Sequence, residues 1–226
     1  MPTYARRYQL QGSLVYHVYN RSHRGEYIFR QPEDFEHFRN LLLHYKSEFN
    51  IKFYHWVIMS NHYHFSVWLE EPEKLPRIIA GLQRAYTHYF NRRQEVKGYL
   101  WQGRYKSQPL EREKYLVACG RYIERNPVRA RIVNRAQEYR YSSARYYCLG
   151  EEDGITSEDP FFTGIGQDIE SRRTIYAGFL TQFDNEEEKQ FRDLARPLGG
   201  KVFIGGLIKD GYSFLSRRQG RPRKIS

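Results

Sequence analysis

Sulfur is scarce in this chain: 226 residues contain two cysteines and two methionines. Cys119 and Cys148 are too few for a disulfide framework and do not stand at a Cys-x-x-Cys spacing, so reduced thiols are expected and neither is given a role. No run of about 18 apolar residues offers a membrane span, and the opening "MPTYARRYQLQGS" has no apolar middle of the kind a signal peptide needs. A cytoplasmic protein with no membrane partner is the expectation. No internal repeat is visible. What is present is a chain 40% hydrophobic and 16% aromatic, enough for a real core and against a disordered chain.

Acidic residues are also in short supply, and unevenly so. Residues 1–150 carry 25 Lys and Arg against 13 Asp and Glu, a net +12. Residues 151–200 reverse the balance with 5 against 12, and residues 201–226 return to 7 against 1. A basic field favours a polyanion, and twenty tyrosines, fourteen phenylalanines and three tryptophans offer rings on which bases stack. Single-stranded nucleic acid is the partner this composition suits, against the plainer reading of a basic protein with an aromatic core.

The hydrophobic pattern gives an order of elements. "SLVYHVYNRS" (13–22) reads as a strand, "PEDFEHFRNLLLHYKSEF" (32–49) as a helix, and "IKFYHWVI" (51–58) and "FSVWL" (65–69) as two strands meeting at Met59-Ser60-Asn61. "EKLPRIIAGLQRAYTHYFNRR" (73–93) is a second amphipathic helix, "YLWQGRYKSQPL" (99–110) a loop and strand, and "EREKYLVACGRYIERNPVRA" (111–130) a third helix ending near Asn126-Pro127. The order β-α-β-β-α-β-α predicts an α+β fold, a ferredoxin-like, mainly antiparallel sheet with helices packed on one face. Three parts are expected: a main domain over 1–150, an acidic linker and small helical module over 151–208, and a basic tail over 209–226.

Within this frame "NHYH" (61–64) carries chemistry. Residues i and i+2 of a strand share a face, so His62 and His64 stand side by side with Tyr63 turned away. Two imidazoles at such a spacing can converge on a divalent ion, or can be two ordinary half-buried histidines. A metal site needs further ligands, and the third helix offers them. Tyr122 and Asn126, four apart, share a helix face, one with a phenol and the other with an amide oxygen. Glu124 falls on another side of that helix and is expected at the surface.

"NHYH", "LWQGRYKSQPL" and "YLVACGRYIERNPVRA", in that order, resemble the REP-associated tyrosine transposases, a branch of the HUH single-strand nucleases, over roughly residues 5–148. The family's His-hydrophobe-His pair falls on His62, Tyr63 and His64, with Tyr63 more polar than is usual, and its catalytic tyrosine falls on Tyr122. The resemblance implies a cytoplasmic, nucleoid-associated bacterial protein, a metal-dependent endonuclease and strand-transferase acting on single-stranded DNA at palindromic hairpin repeats with duplex flanks beside bacterial genes. Mg²⁺ or Mn²⁺ would be held by His62, His64 and Asn126, and Tyr122 would form a 5′-phosphotyrosine. Tyr115, seven residues earlier on nearly the same helix face, is the alternative nucleophile.

For DNA binding the candidates are Arg104 and Lys106 in "WQGRYK", Arg125 and Arg129 in "RNPVRA", and Arg218, Arg221 and Arg223 in the tail. "QGRPRK" resembles an AT-hook, with Gln219 where the first arginine usually stands. Two rival functions share the sequence features: a regulatory protein that binds hairpin DNA or RNA without cutting, and a metal-dependent phosphohydrolase with no covalent intermediate. Monomer and homodimer both stay open.

Overall fold

The computed structural model describes residues 10, 14–192 and 196–210. Four strands, β1 (Val15–Arg21), β2 (Lys52–Met59), β3 (His62–Trp68) and β4 (Lys106–Leu110), form one antiparallel sheet in the order β2-β3-β1-β4. Helix α1 (Pro32–Phe49) joins β1 to β2, and α2 (Leu75–Arg93) joins β3 to β4. α3 (Arg112–Glu124) follows β4 and runs into the short α4 (Asn126–Arg129). The expected β-α-β-β-α-β-α order is the observed one.

Local chemistry explains the element ends. Pro32 occupies the first turn of α1, and Asp34 Oδ2 accepts from the Gln31 and Arg30 amides at 2.9 and 2.8 Å, closing a capping box. Asn50, at φ 49°, ends the helix in the left-handed conformation that Asn tolerates. Between these ends Phe35, Phe38 and Leu42 recur at helical spacing and enter the core.

The helices lie on both faces of the sheet, not on one. Tyr63, Phe65 and Val67 face α1 and α2, packing with Phe38, Ile78, Leu82 and Tyr86. The alternate face carries Val15, Val57 and Met59 against Leu116, Cys119, Tyr122 and Ile123 of α3. A half-buried antiparallel sheet would show polar residues on its second face; here that face is polar at His17, His55, His62 and His64, yet covered. Placing α3 there is what brings its tyrosine over the histidines.

Both sheet edges are closed by the chain itself. The Ile58 amide donates to Tyr141 O and the Ser143 amide to Trp56 O, both at 3.0 Å, and beyond β4 the Leu198 amide donates to Pro109 O at 2.9 Å. Unpaired strand edges are templates for association, and these are occupied.

The C-terminal residues continue as α5 (Ala144–Leu149), α6 (Ile169–Thr181), α7 (Asn185–Gln190) and α8 (Lys201–Lys209). α5 and α6 share a cluster built on Tyr147, Phe162, Tyr176 and Leu180, and Phe191 joins the core under α3. The tail arginines Arg218, Arg221 and Arg223 lie outside the described residues. Among the described residues, no helix is long and apolar enough to cross a membrane. Cys119 and Cys148 are free thiols.

Candidate active site

Strand register builds the site in rows. Lys106, Tyr19, His64 and Val57 lie side by side across β4, β1, β3 and β2; the next row on the same face holds Arg21, His62 and Met59, and the row on the other side holds Gln108, His17, Ser66 and His55. His62 and His64 thus share a face as their spacing requires, with ring centroids 5.3 Å apart and planes nearly perpendicular. Tyr63 points away, fully buried, and its hydroxyl accepts from Gln83 Nε2 at 2.7 Å.

Each imidazole is oriented by a neighbour. Asn61 Nδ2 donates to Gly25 O at 2.9 Å, which turns Asn61 Oδ1 toward His62 Nδ1 at 2.6 Å. An amide oxygen only accepts, so His62 donates from Nδ1 and keeps the lone pair of its neutral ring on Nε2. Burial and the nearby Arg21 and Arg129 charges hold its pKa down at about 4, against a hydrogen bond to Asn126 that favours the charged form. His64 Nδ1 lies 2.8 Å from His17 Nε2. In the tautomer that donates from Nδ1, His64 also presents Nε2. Burial, with the neighbouring histidines and Arg129, keeps it far below the usual imidazole range. Neutral rings with Nε2 lone pairs are what a metal requires of histidine.

α3 brings the phenol to this face, and α4 the amide. The Tyr122 ring meets His64 and His17 edge-on at 5.5 and 5.7 Å. Asn126 Nδ2 donates to the Tyr122 and Ile123 carbonyls at 3.0 and 2.9 Å, which turns its Oδ1 outward, where Arg129 donates to it at 2.7 Å. The Arg129 guanidinium also lies over the Tyr122 ring at 4.4 Å. Burial raises the Tyr122 pKa and the Arg129 charge opposes it. The expected set of His62, His64, Tyr122 and Asn126 is therefore one cluster, and its donors fit a divalent cation, with the Asn126 oxygen shared with Arg129. Among the described residues, no group of three or more His, Cys, Asp or Glu is placed to hold a metal; an ion at His62 and His64 would take the Asn126 amide oxygen as its third protein donor.

The basic residues divide. Arg104 and Lys106 are exposed, Lys106 at the end of the row that holds His64. Arg125 and Arg129 are instead engaged internally: Arg125 donates to Leu180 O at 2.6 Å, and Arg129 pairs with Glu188 at 2.8 Å. Phe191 stacks on Tyr122 at 5.2 Å, so the segment after α6 covers the phenol and neutralises the arginine beside it. The alternative Tyr115 is half-buried at the edge of the same cluster.

Residue 124 departs from the sequence expectation. Glu124 is fully buried, not at the surface. His55 Nδ1 lies 2.9 Å from Glu124 Oε1 and His55 Nε2 lies 3.0 Å from Asp159 Oδ2. Burial alone would lower the pKa of this ring, but its hydrogen bonds to Asp159 and Glu124, with their charges, outweigh it and raise it to about 9. His17, His55 and Glu124 are the residues that sequence reasoning missed. A visible signal was Gly120, a residue that costs about 1 kcal/mol in a helix interior. A Cβ there would stand 2.6 Å from His55 Cε1 and Nε2.

An α+β sheet with a histidine and tyrosine cluster between β3 and α3 defines the class. Residues 11–126, just over half of the chain, match the family described as Transposase IS200 like, and the chain belongs to that family. The matched stretch includes His62, His64, Tyr122 and Asn126. Among solved structures, the chain is similar in fold to one described as "Structure of the REP associates tyrosine transposase bound to a REP hairpin". That likeness has a TM-score of 0.53 at 16% identity and covers 75% of this chain and 93% of the other. No curated protein matches the chain.

Proposed function

We propose that this protein cleaves and rejoins single-stranded DNA at hairpin repeats through a covalent tyrosine intermediate. The observation that carries the reading is the convergence of His62, His64, Asn126 and Tyr122 from β3 and two successive helices onto one patch of the sheet. The family and the hairpin bound by the structural neighbour support a hairpin DNA substrate.

Tyr122 is the nucleophile: its phenolic oxygen attacks the scissile phosphorus, the bond to the 3′-oxygen breaks, and a 5′-phosphotyrosine and a 3′-OH result. The phosphodiester energy is kept in the new ester, so a 3′-OH can reverse the step and join strands. Burial holds the phenol protonated and Arg129, 4.4 Å from its ring, favours the phenolate. Mg²⁺ or Mn²⁺ held by His62, His64 and Asn126 would supply polarisation of the phosphate. His17 and Asn61 keep the two imidazoles in orientation. Arg104 and Lys106 meet the backbone of the bound strand, and Arg129 contributes charge beside the phenol.

The test is a hairpin oligonucleotide incubated with protein and Mn²⁺, then denatured. Wild-type protein should carry a denaturation-resistant adduct, and Tyr122→Phe should carry none while shifting the same hairpin in a gel. An adduct on Tyr122→Phe would refute the assignment.

A further inference from the structure

The His55 network takes no part in the chemistry proposed above, yet it is built more completely than the site itself. Both His55 ring nitrogens face carboxylate oxygens, which only accept, so the geometry calls for a doubly protonated ring. Glu124 also accepts from Ser143 Oγ at 2.6 Å and from Tyr176 Oη at 2.9 Å. Asp159 Oδ1 accepts from the Phe161 amide at 2.8 Å, and the Asp159 amide donates to Tyr147 Oη at 3.0 Å. His55, Glu124 and Asp159 are all 1% exposed or less. β2, α3, α5, α6 and the strap before α6 are joined by these bonds.

Apolar side chains would fill this volume at lower cost, because a buried ion cluster seldom stabilises more than good packing does. What directional bonds add is a fixed geometry. Glu124 stands two residues after Tyr122 and two before Asn126. Apolar contacts under α3 tolerate sliding and rotation, whereas a carboxylate held by three donors does not. The bare backbone at Gly120 lets the His55 ring reach the helix closely enough to make that bond.

We propose that His55, Glu124 and Asp159 are positioning residues for Tyr122: their network fixes the rotation and height of α3 on the sheet, and through Asp159 and Tyr176 it makes the placement of the phenol depend on the C-terminal segment. The functional half of this inference rests on Tyr122 being the nucleophile. His55, Glu124 and Asp159 do not touch the substrate.

Glu124→Gln keeps the shape and weakens the clamp, and Tyr176→Phe removes one hydroxyl that donates to Glu124 at 2.9 Å and lies 3.3 Å from His55 Nδ1. At saturating hairpin, single-turnover cleavage should fall at least tenfold in Glu124→Gln and severalfold in Tyr176→Phe, with hairpin affinity within twofold of wild type. The Tyr122 ring resonances, assigned by their loss in Tyr122→Phe, should shift in both variants at a temperature where each is fully folded. A purely structural role would lower the melting temperature and leave rate and resonances of the folded protein unchanged; that result overturns the proposal. Should Glu124→Gln not fold, Tyr176→Phe decides, and a wild-type rate with unmoved resonances overturns it. Should wild-type protein form no adduct, the nucleophile assignment falls by itself; the ring resonances then judge the positioning claim, and unmoved resonances overturn it.

Discussion

Two histidine clusters share one face of one sheet and differ in charge. At His62 and His64 the neighbours are an amide oxygen, another imidazole and arginines, so burial wins and the rings are neutral. At His55 two carboxylates outweigh the same burial and the ring is a cation. The residue type is the same; the partners decide whether it offers a lone pair or a charge. The neutral pair suits a metal and a reaction, and the charged one suits a clamp. Single substitutions break one cluster at a time.

The largest effect belongs to the clamp. His55→Ala leaves two buried carboxylates without their cation, and should cost about 3–5 kcal/mol of stability, read from urea unfolding. The same bond predicts a pH dependence. Because the folded pKa is raised from 6.5 to about 9, its stabilisation is complete below pH 6.5 and is lost as pH rises through 9. The loss in wild type should be on the order of 3 kcal/mol across that window, and shallower in Glu124→Gln. A flat profile between pH 6.5 and 9.5 would mean that the ring is not a buried cation.

Removing either imidazole of the neutral pair should leave the fold and hairpin binding nearly intact. His62→Ala and His64→Ala should each lower cleavage in Mn²⁺ by about a hundredfold or more, since even residues behind the ligands are worth about 10–100-fold. Full cleavage in EDTA would contradict a metal role. His17→Ala, acting through His64, should cost about tenfold, with the deficit partly recovered at high Mn²⁺. The smallest effect expected is at the cover: Glu188→Gln frees Arg129 for phosphate and should tighten hairpin binding a few fold, with a steeper salt dependence.

The order of strands and helices was legible because each carries its own period, and α1 carries caps as well: it begins and ends where Pro32 and Phe49 said it would. The pair at His62 and His64 was legible for the same local reason, a two-residue repeat in a strand. Glu124 was not, since its burial is decided by His55 and Asp159, far away in sequence, and an acidic residue on a helix ordinarily faces water. His17 was hidden likewise, its role following from a strand register that no local pattern encodes. That α3 crosses to the histidine face depends on where the chain goes after β4. Gly120 alone hinted at a close approach to that helix. The AT-hook-like tail falls outside the described residues and stays a sequence expectation.

The most direct measurement of the central claim is the address of the covalent bond. Wild-type protein is allowed to cleave a hairpin oligonucleotide in Mn²⁺, digested with trypsin, and the nucleotide-bearing peptide sequenced by mass spectrometry. Cleavage after Arg121 and Arg125 separates the two candidate tyrosines. Nucleotide on the peptide Tyr122–Arg125 is the predicted result; nucleotide on the peptide Tyr115–Arg121, or cleaved DNA with no modified peptide, would contradict it.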